Sequence, residues 1–216
     1  MVDLVRAAGA LRAVVVVLGI ASVAAGGRNA GLVEIQLGTD ADHVQELLAS
    51  PARVRPARRA IEIDYGFIAA YLAAFVTLAV VLLRRGDWWA GLGVAAAAAA
   101  LATAALDLIE NVRTTGVLGY GPMSQPLPQA KLDALRAVSL AKWGASALTI
   151  ALLGAIFVQP RWLAGIATAF LGIALTGFVG LFRHRLIQPF FMGVFAATVS
   201  IAVFFLAWPE SVTRAF

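Results

Sequence analysis

Asp64, Asp107, Glu110, Asn111 and Lys142 carry the widest chemical scope in this 216-residue chain. Asp107, Glu110 and Asn111 stand at i, i+3 and i+4, so a helix would present all three on one face. Asp64 opens one apolar segment, and Lys142 falls just inside the membrane boundary of another whose first turns stand outside, with Ser139 and Ser146 on its face. These acids, amide and amine could meet in one layer, and such a layer supports three chemistries. In the plainest, Lys142 neutralises Asp107 or Glu110 and locks the helices together. In the second, Asp64, Asp107 and Glu110 offer hard oxygen ligands to Mg²⁺ or Mn²⁺. That would suit catalysis on a phosphate-bearing lipid head group, assisted by Arg113, Arg183 or His184. In the third, Lys142 and Asp107 titrate together in a proton-coupled carrier of small solutes. A carrier needs a polar path beyond Tyr71, where the sequence offers only Thr77, Thr149 and Thr168.

The segments that position these groups define the solvent. Hydrophobic residues make up 61% of the chain and charged residues 13%, well below the roughly one quarter charged in soluble domains. Six stretches are long and apolar enough to cross a bilayer. Their near-continuous Ala, Leu, Val, Ile and Phe select helices rather than barrel strands. The first has its core at Ala13–Ala25 and becomes long enough when counted from Leu4, with Arg12 and Arg28 snorkelling. The second runs from about Asp64 to Leu83, the third from Trp88 to about Val112, and the fourth from Gln129 to Gln159-Pro160. The fifth covers Trp162–Phe182 and the sixth Leu186–Trp208. Trp88, Trp89, Trp162 and Trp208 fall at span ends on one side, where indoles favour the interface. Ser22-Val23-Ala24 before Gly26-Gly27 resembles a signal-peptide cleavage site, but a retained anchor is expected.

This is an all-α integral membrane bundle of about six transmembrane helices, read as a single polytopic domain over residues 1–216. Residues 26–63 form its main extramembrane loop. Within it, Thr39-Asp40-Ala41-Asp42 resembles a capping box with Asp in place of Glu. Val44, Leu47 and Leu48 share one face until Ser50-Pro51. A short amphipathic helix is therefore expected at about 40–49, lying on the bundle or on head groups. Arg53, Arg55, Arg58 and Arg59 follow as a lipid head-group contact or a solvated basic linker. Arg183 and Arg185 stand at the head-group level of a later turn.

Several functions are excluded. Cysteine is absent, which removes disulfides, cysteine-ligated iron–sulfur clusters and thiol catalysis. His43 and His184 are the only histidines, too few for a multi-histidine metal cage. No Gly-x-Ser-x-Gly or His-Glu-x-x-His motif occurs. The arginines suit lipid head groups, and no nucleic-acid partner is expected. No cofactor is identifiable. Small residues lie along two segments: Gly165, Ala169, Gly172, Thr176 and Gly180 in one, Gly91, Gly93 and Ala95–Ala100 in the other. Such ridges let helices approach closely, within the chain or across to a partner. The favoured function is an accessory subunit of a larger membrane assembly, with membrane lipids and a membrane-protein partner or second copy as ligands. The lipid head-group enzyme and the carrier are the alternatives.

The expected location is the cell or inner membrane, with the N-terminus cytoplasmic because Arg6 and Arg12 precede the first span. Against this, ten Lys and Arg, or eleven with Lys142, fall on the loop-rich side and six on the other. Reporters fused to the C-terminus and within 113–128 should place the C-terminus inside. An external C-terminus would invert the topology.

Overall fold

A computed structural model describes residues 1–26, 31–84, 86–121, 125–157, 164–183 and 186–215. The elements within them are helical. They are α1 (Val2–Gly26), α2 (Leu32–Gln36), α3 (Ala41–Leu48), α4 (Pro51–Leu83), α5 (Asp87–Leu118), α6 (Gln129–Phe157), α7 (Ala164–Gly180), α8 (Ile187–Ala207) and α9 (Pro209–Ala215). Among the described residues, α1, α4, α5, α6 and α8 are long and apolar enough to cross a membrane. The remaining expected span is α7, a 17-residue apolar helix, about 26 Å long at 1.5 Å per residue. Its expected start at Trp162 lies outside the described residues. The protein is an all-α membrane bundle.

Three boundaries depart from the sequence reading. α4 begins at Pro51, four turns before Asp64, and carries Pro56 inside it. The Arg53–Arg59 run is therefore helix, not linker. Arginine is a good helix former, and the lost Pro56 donor is offset because Ala57, Ala60 and Ile61 on the same turns are buried. α5 extends past Val112 to Leu118, again because Val117 and Leu118 are buried. The capping box shifts by one residue. Asp40, not Thr39, caps α3, its Oδ1 accepting from the backbone N–H of Asp42 at 2.9 Å and of His43 at 3.4 Å. The reversal between α4 and α5 falls at Gly86, whose φ of 82° is left-handed. Glycine reaches that region without a Cβ penalty.

The chain forms two compact units. One comprises residues 1–17, 69–104 and 143–216. Close helix approach here depends on glycine. A Cβ on Gly177 would lie 2.7 Å from the Phe190 ring, and one on Gly93 would lie 2.9 Å from Leu82. Aromatic contacts fill the same unit: Phe157 stacks on Phe170 at 5.7 Å, and Trp143 meets Phe190 edge-on at 6.0 Å. Arg12 belongs to this unit and is buried against Phe75 rather than snorkelling.

The other unit comprises residues 18–68 and 105–142. Ile35 of α2, Val44 and Leu48 of α3, Ala57 and Ile61 of α4, Leu118 of α5, and Leu132 and Leu135 of α6 share one apolar core. The amphipathic helix therefore lies on its own protein, through Ala41, Val44 and Leu48. Two glutamines fasten it. Gln45 donates to the Gln125 carbonyl at 3.0 Å and accepts from the Leu127 N–H at 2.7 Å. Gln129 accepts from the Ala41 N–H and donates to the Thr39 carbonyl, each at 3.1 Å. Gly121 is required at the same contact, since a Cβ there would sit 2.5 Å from the Leu48 carbonyl oxygen.

Candidate functional site

α4, α5 and α6 bring all five chemically promising side chains into the unit of residues 18–68 and 105–142. One turn of α5 presents Asp107, Glu110 and Asn111 on a common face. Glu110 and Asn111 are buried there, at 1% and 3% exposure. Lys142 of α6 reaches both acids: its Nζ bonds Glu110 Oε2 at close range and lies 3.4 Å from Asp107 Oδ1. Asn111 Nδ2 donates to Asp64 Oδ2 of α4 at 2.7 Å. The layer is thus two linked contacts, an acid–lysine–acid bridge between α5 and α6 and an amide–acid bond between α5 and α4. Within it, Glu110 Oε1 is buried and has no hydrogen-bond donor among the described residues.

Packing accounts for the arrangement. Ser139, fully buried one turn before Lys142, returns its hydroxyl to the Leu135 carbonyl at 3.1 Å and makes no demand on the layer. Thr115 likewise bonds the Asn111 carbonyl at 2.8 Å. Gln36 of α2 extends the polar set, donating to the buried Thr114 Oγ1 at 3.5 Å. No spacing pattern points to Gln36, because α2 has only five residues and lies far from α5 along the chain.

The expected metal donors do not form a cluster of three. Among the described residues no group of three or more His, Asp or Glu side chains is placed to hold a metal ion. Asp107 and Glu110 instead face an ammonium, and Asp64 faces an amide. Such geometry can hold helices at fixed rotation and keep one buried carboxylate oxygen uncommitted. Of the threonines expected to mark a path, Thr77 donates to the Ala73 carbonyl at 2.8 Å and Thr149 to the Ala145 carbonyl at 2.9 Å, with Thr149 Oγ1 also 3.5 Å from Thr103 Oγ1.

The head-group arginines separate into two sets. Arg55, Arg58 and Arg59 are exposed on one side of α4, opposite buried Ala57, Ala60 and Ile61. Arg53 is half-buried, its Nη1 3.9 Å from Glu34 Oε2. Arg113 and Arg183 are exposed, whereas His184 and Arg185 lie outside the described residues. No protein-family model, curated protein or solved structure matches the chain.

Proposed function

We propose that the protein is an accessory subunit of a membrane assembly and docks a partner's spanning helix, or that of a second copy, along α5. The observation that carries this reading is a seam of small residues on the outer face of α5. Gly91, Ala95, Ala98, Ala102 and Ala105 are all exposed and recur at alternating spacings of four and three residues. That period keeps one face turned toward a neighbouring helix over three turns or more. A Cβ on Gly91 would meet nothing within 4 Å, whereas Gly93, Ala96 and Ala100 are turned inward. The alanine tract thus divides into an internal face and an open one. Between apolar helices in lipid, small side chains gain association through close backbone approach and dispersion. Val94, Leu101 and Leu108 repeat every seven residues and line one flank of the seam, at 51%, 58% and 43% exposure. α7 adds a shorter open stretch at Ala169 and Gly172.

The carboxylate layer has a structural part in this reading. Its one lysine and its amide are both committed to acids, which fixes the rotation of the α5 turn that carries them. The exposed arginines of α4 would sit against anionic head groups in the cell membrane. The enzyme and carrier readings gain no comparable observation, since each needs groups that the layer has already engaged.

Extraction of the native membrane into mild detergent should give a particle larger than one chain, holding a second polypeptide or a second copy. Ala98→Leu with Ala102→Leu fills the open seam without touching the internal face. We expect it to weaken association by about tenfold or more and to leave the thermal unfolding of the single chain unchanged. A wild-type particle that is strictly monomeric in native extracts would sink the proposal.

A further inference from the structure

Arg12 is a charged group held inside α1, ten residues from that helix's first residue and only 3% exposed. Its guanidinium carbon lies over the Phe75 ring, 5.3 Å from the centroid. Its Nε and Nη2 are buried and have no acceptor among the described residues. These two nitrogens are not an arbitrary pair. In a planar guanidinium, the Nε–H and one Nη2–H point the same way and form the fork that grips two oxygens of one carboxylate or phosphate. A buried cation without such a partner is costly in an apolar bundle. Lysine, with a single strongly hydrated charge, would not present this fork.

Its depth indicates what could reach it. Gly9 packs on Phe205 and Leu206, where a Cβ would lie 3.0 Å from each. Those residues stand three and two positions before Trp208, which is 55% exposed just after α8. Arg12 is three residues further along α1, which places it roughly 8 Å inside the end of α8 at 1.5 Å per residue. On α4, Phe75 is eight residues from the helix end at Leu83, or about 12 Å. One to two helical turns is within reach of a head group entering between helices, and too deep for solvent to be the ordinary partner.

We propose that the Nε/Nη2 edge of Arg12 binds the oxyanion head of a membrane amphiphile, a carboxylate or a phosphate. The site is independent of the helix-docking seam on α5. The Phe75 ring lies beneath the guanidinium carbon, and the fork sets the direction from which two oxygens must approach.

The test is thermal unfolding of the purified full chain in a neutral detergent, titrated separately with oleate, phosphatidic acid, phosphatidylcholine and inorganic phosphate. Oleate or phosphatidic acid should raise the midpoint saturably, and phosphatidylcholine and inorganic phosphate should not. Arg12→Lys keeps the charge and loses the fork, so apparent affinity should fall about tenfold. Arg12→Met should unfold at least as high as wild type without lipid and show no response. If Arg12→Met does not accumulate, the lysine variant still decides the matter. Equal midpoints with all four additives would overturn the site, as would undiminished affinity in Arg12→Lys. Stabilisation by inorganic phosphate equal to that by phosphatidic acid would overturn the amphiphile in favour of a free anion.

Discussion

Lys142→Met should destabilise the protein by about 3 kcal/mol, and Glu110→Gln combined with it should recover much of that loss. Glu110 is 1% exposed and its Oε2 bonds Lys142, while its Oε1 has no donor among the described residues. Removing the ammonium therefore strands a carboxylate that water cannot reach. Removing both charges leaves an amide beside a thioether, a far smaller desolvation penalty. Glu110→Gln alone should fall between the two, because Lys142 would still have Asp107 at 3.4 Å. Asp107→Asn should cost least of the three, since the Asp107 side chain is 13% exposed and water can compensate its loss. Denaturant or thermal unfolding of the singles and the double in one detergent closes the cycle. Strictly additive singles would show that the bridge contributes no coupling, and the rotational lock on α5 would fall with it.

Much of the bundle was legible because lipid leaves few alternatives. A run of twenty apolar residues must be a helix, and Pro160, Gly86 and Pro209 interrupt such runs in ways independent of tertiary contacts. The carboxylate layer was legible for the same reason. Few ionisable residues occur inside apolar segments, so Asp64, Asp107, Glu110 and Lys142 stand out, and i, i+3, i+4 spacing fixes their face. What escaped the sequence depends on partners distant along the chain. Residues 53–59 read as a head-group contact or a basic linker, not as helix, because their stabilisation comes from Ala57 and Ile61 packing on an apolar core that other segments supply. Gln45 and Gln129 carry no spacing signal, yet each holds α3 to a segment more than eighty residues away. Arg12 read as a snorkelling residue of a span counted from Leu4, because its long stem could carry the charge to the head groups. It lies buried over Phe75 instead, a partner more than sixty residues away.

Leu135→Ala should loosen the core beneath α3 by about 2–5 kcal/mol. Leu135 is fully buried among Leu118, Leu132, Val44 and the other residues of that core. The outer faces of α3 and the first turns of α4 carry Asp42, His43, Glu46, Arg55, Arg58 and Arg59, all exposed. The hydrophobic effect therefore acts here as in a soluble domain, unlike the lipid-facing packing of α5 and α8. The substitution forfeits the transfer energy of the lost carbons and leaves a cavity that neighbouring helices cannot close. α3 has eight residues, too few to stay helical once its apolar face is undocked. Hydrogen exchange of the α3 amides is the direct readout. A loss of about 2 kcal/mol should accelerate them ~30-fold, with amides in the middle of α8 unchanged. Leu175→Ala, at a position 64% exposed on α7, should leave α3 exchange as in wild type. α3 amides that exchange equally slowly in Leu135→Ala would mean that Gln45 and Gln129 hold the helix without the apolar core.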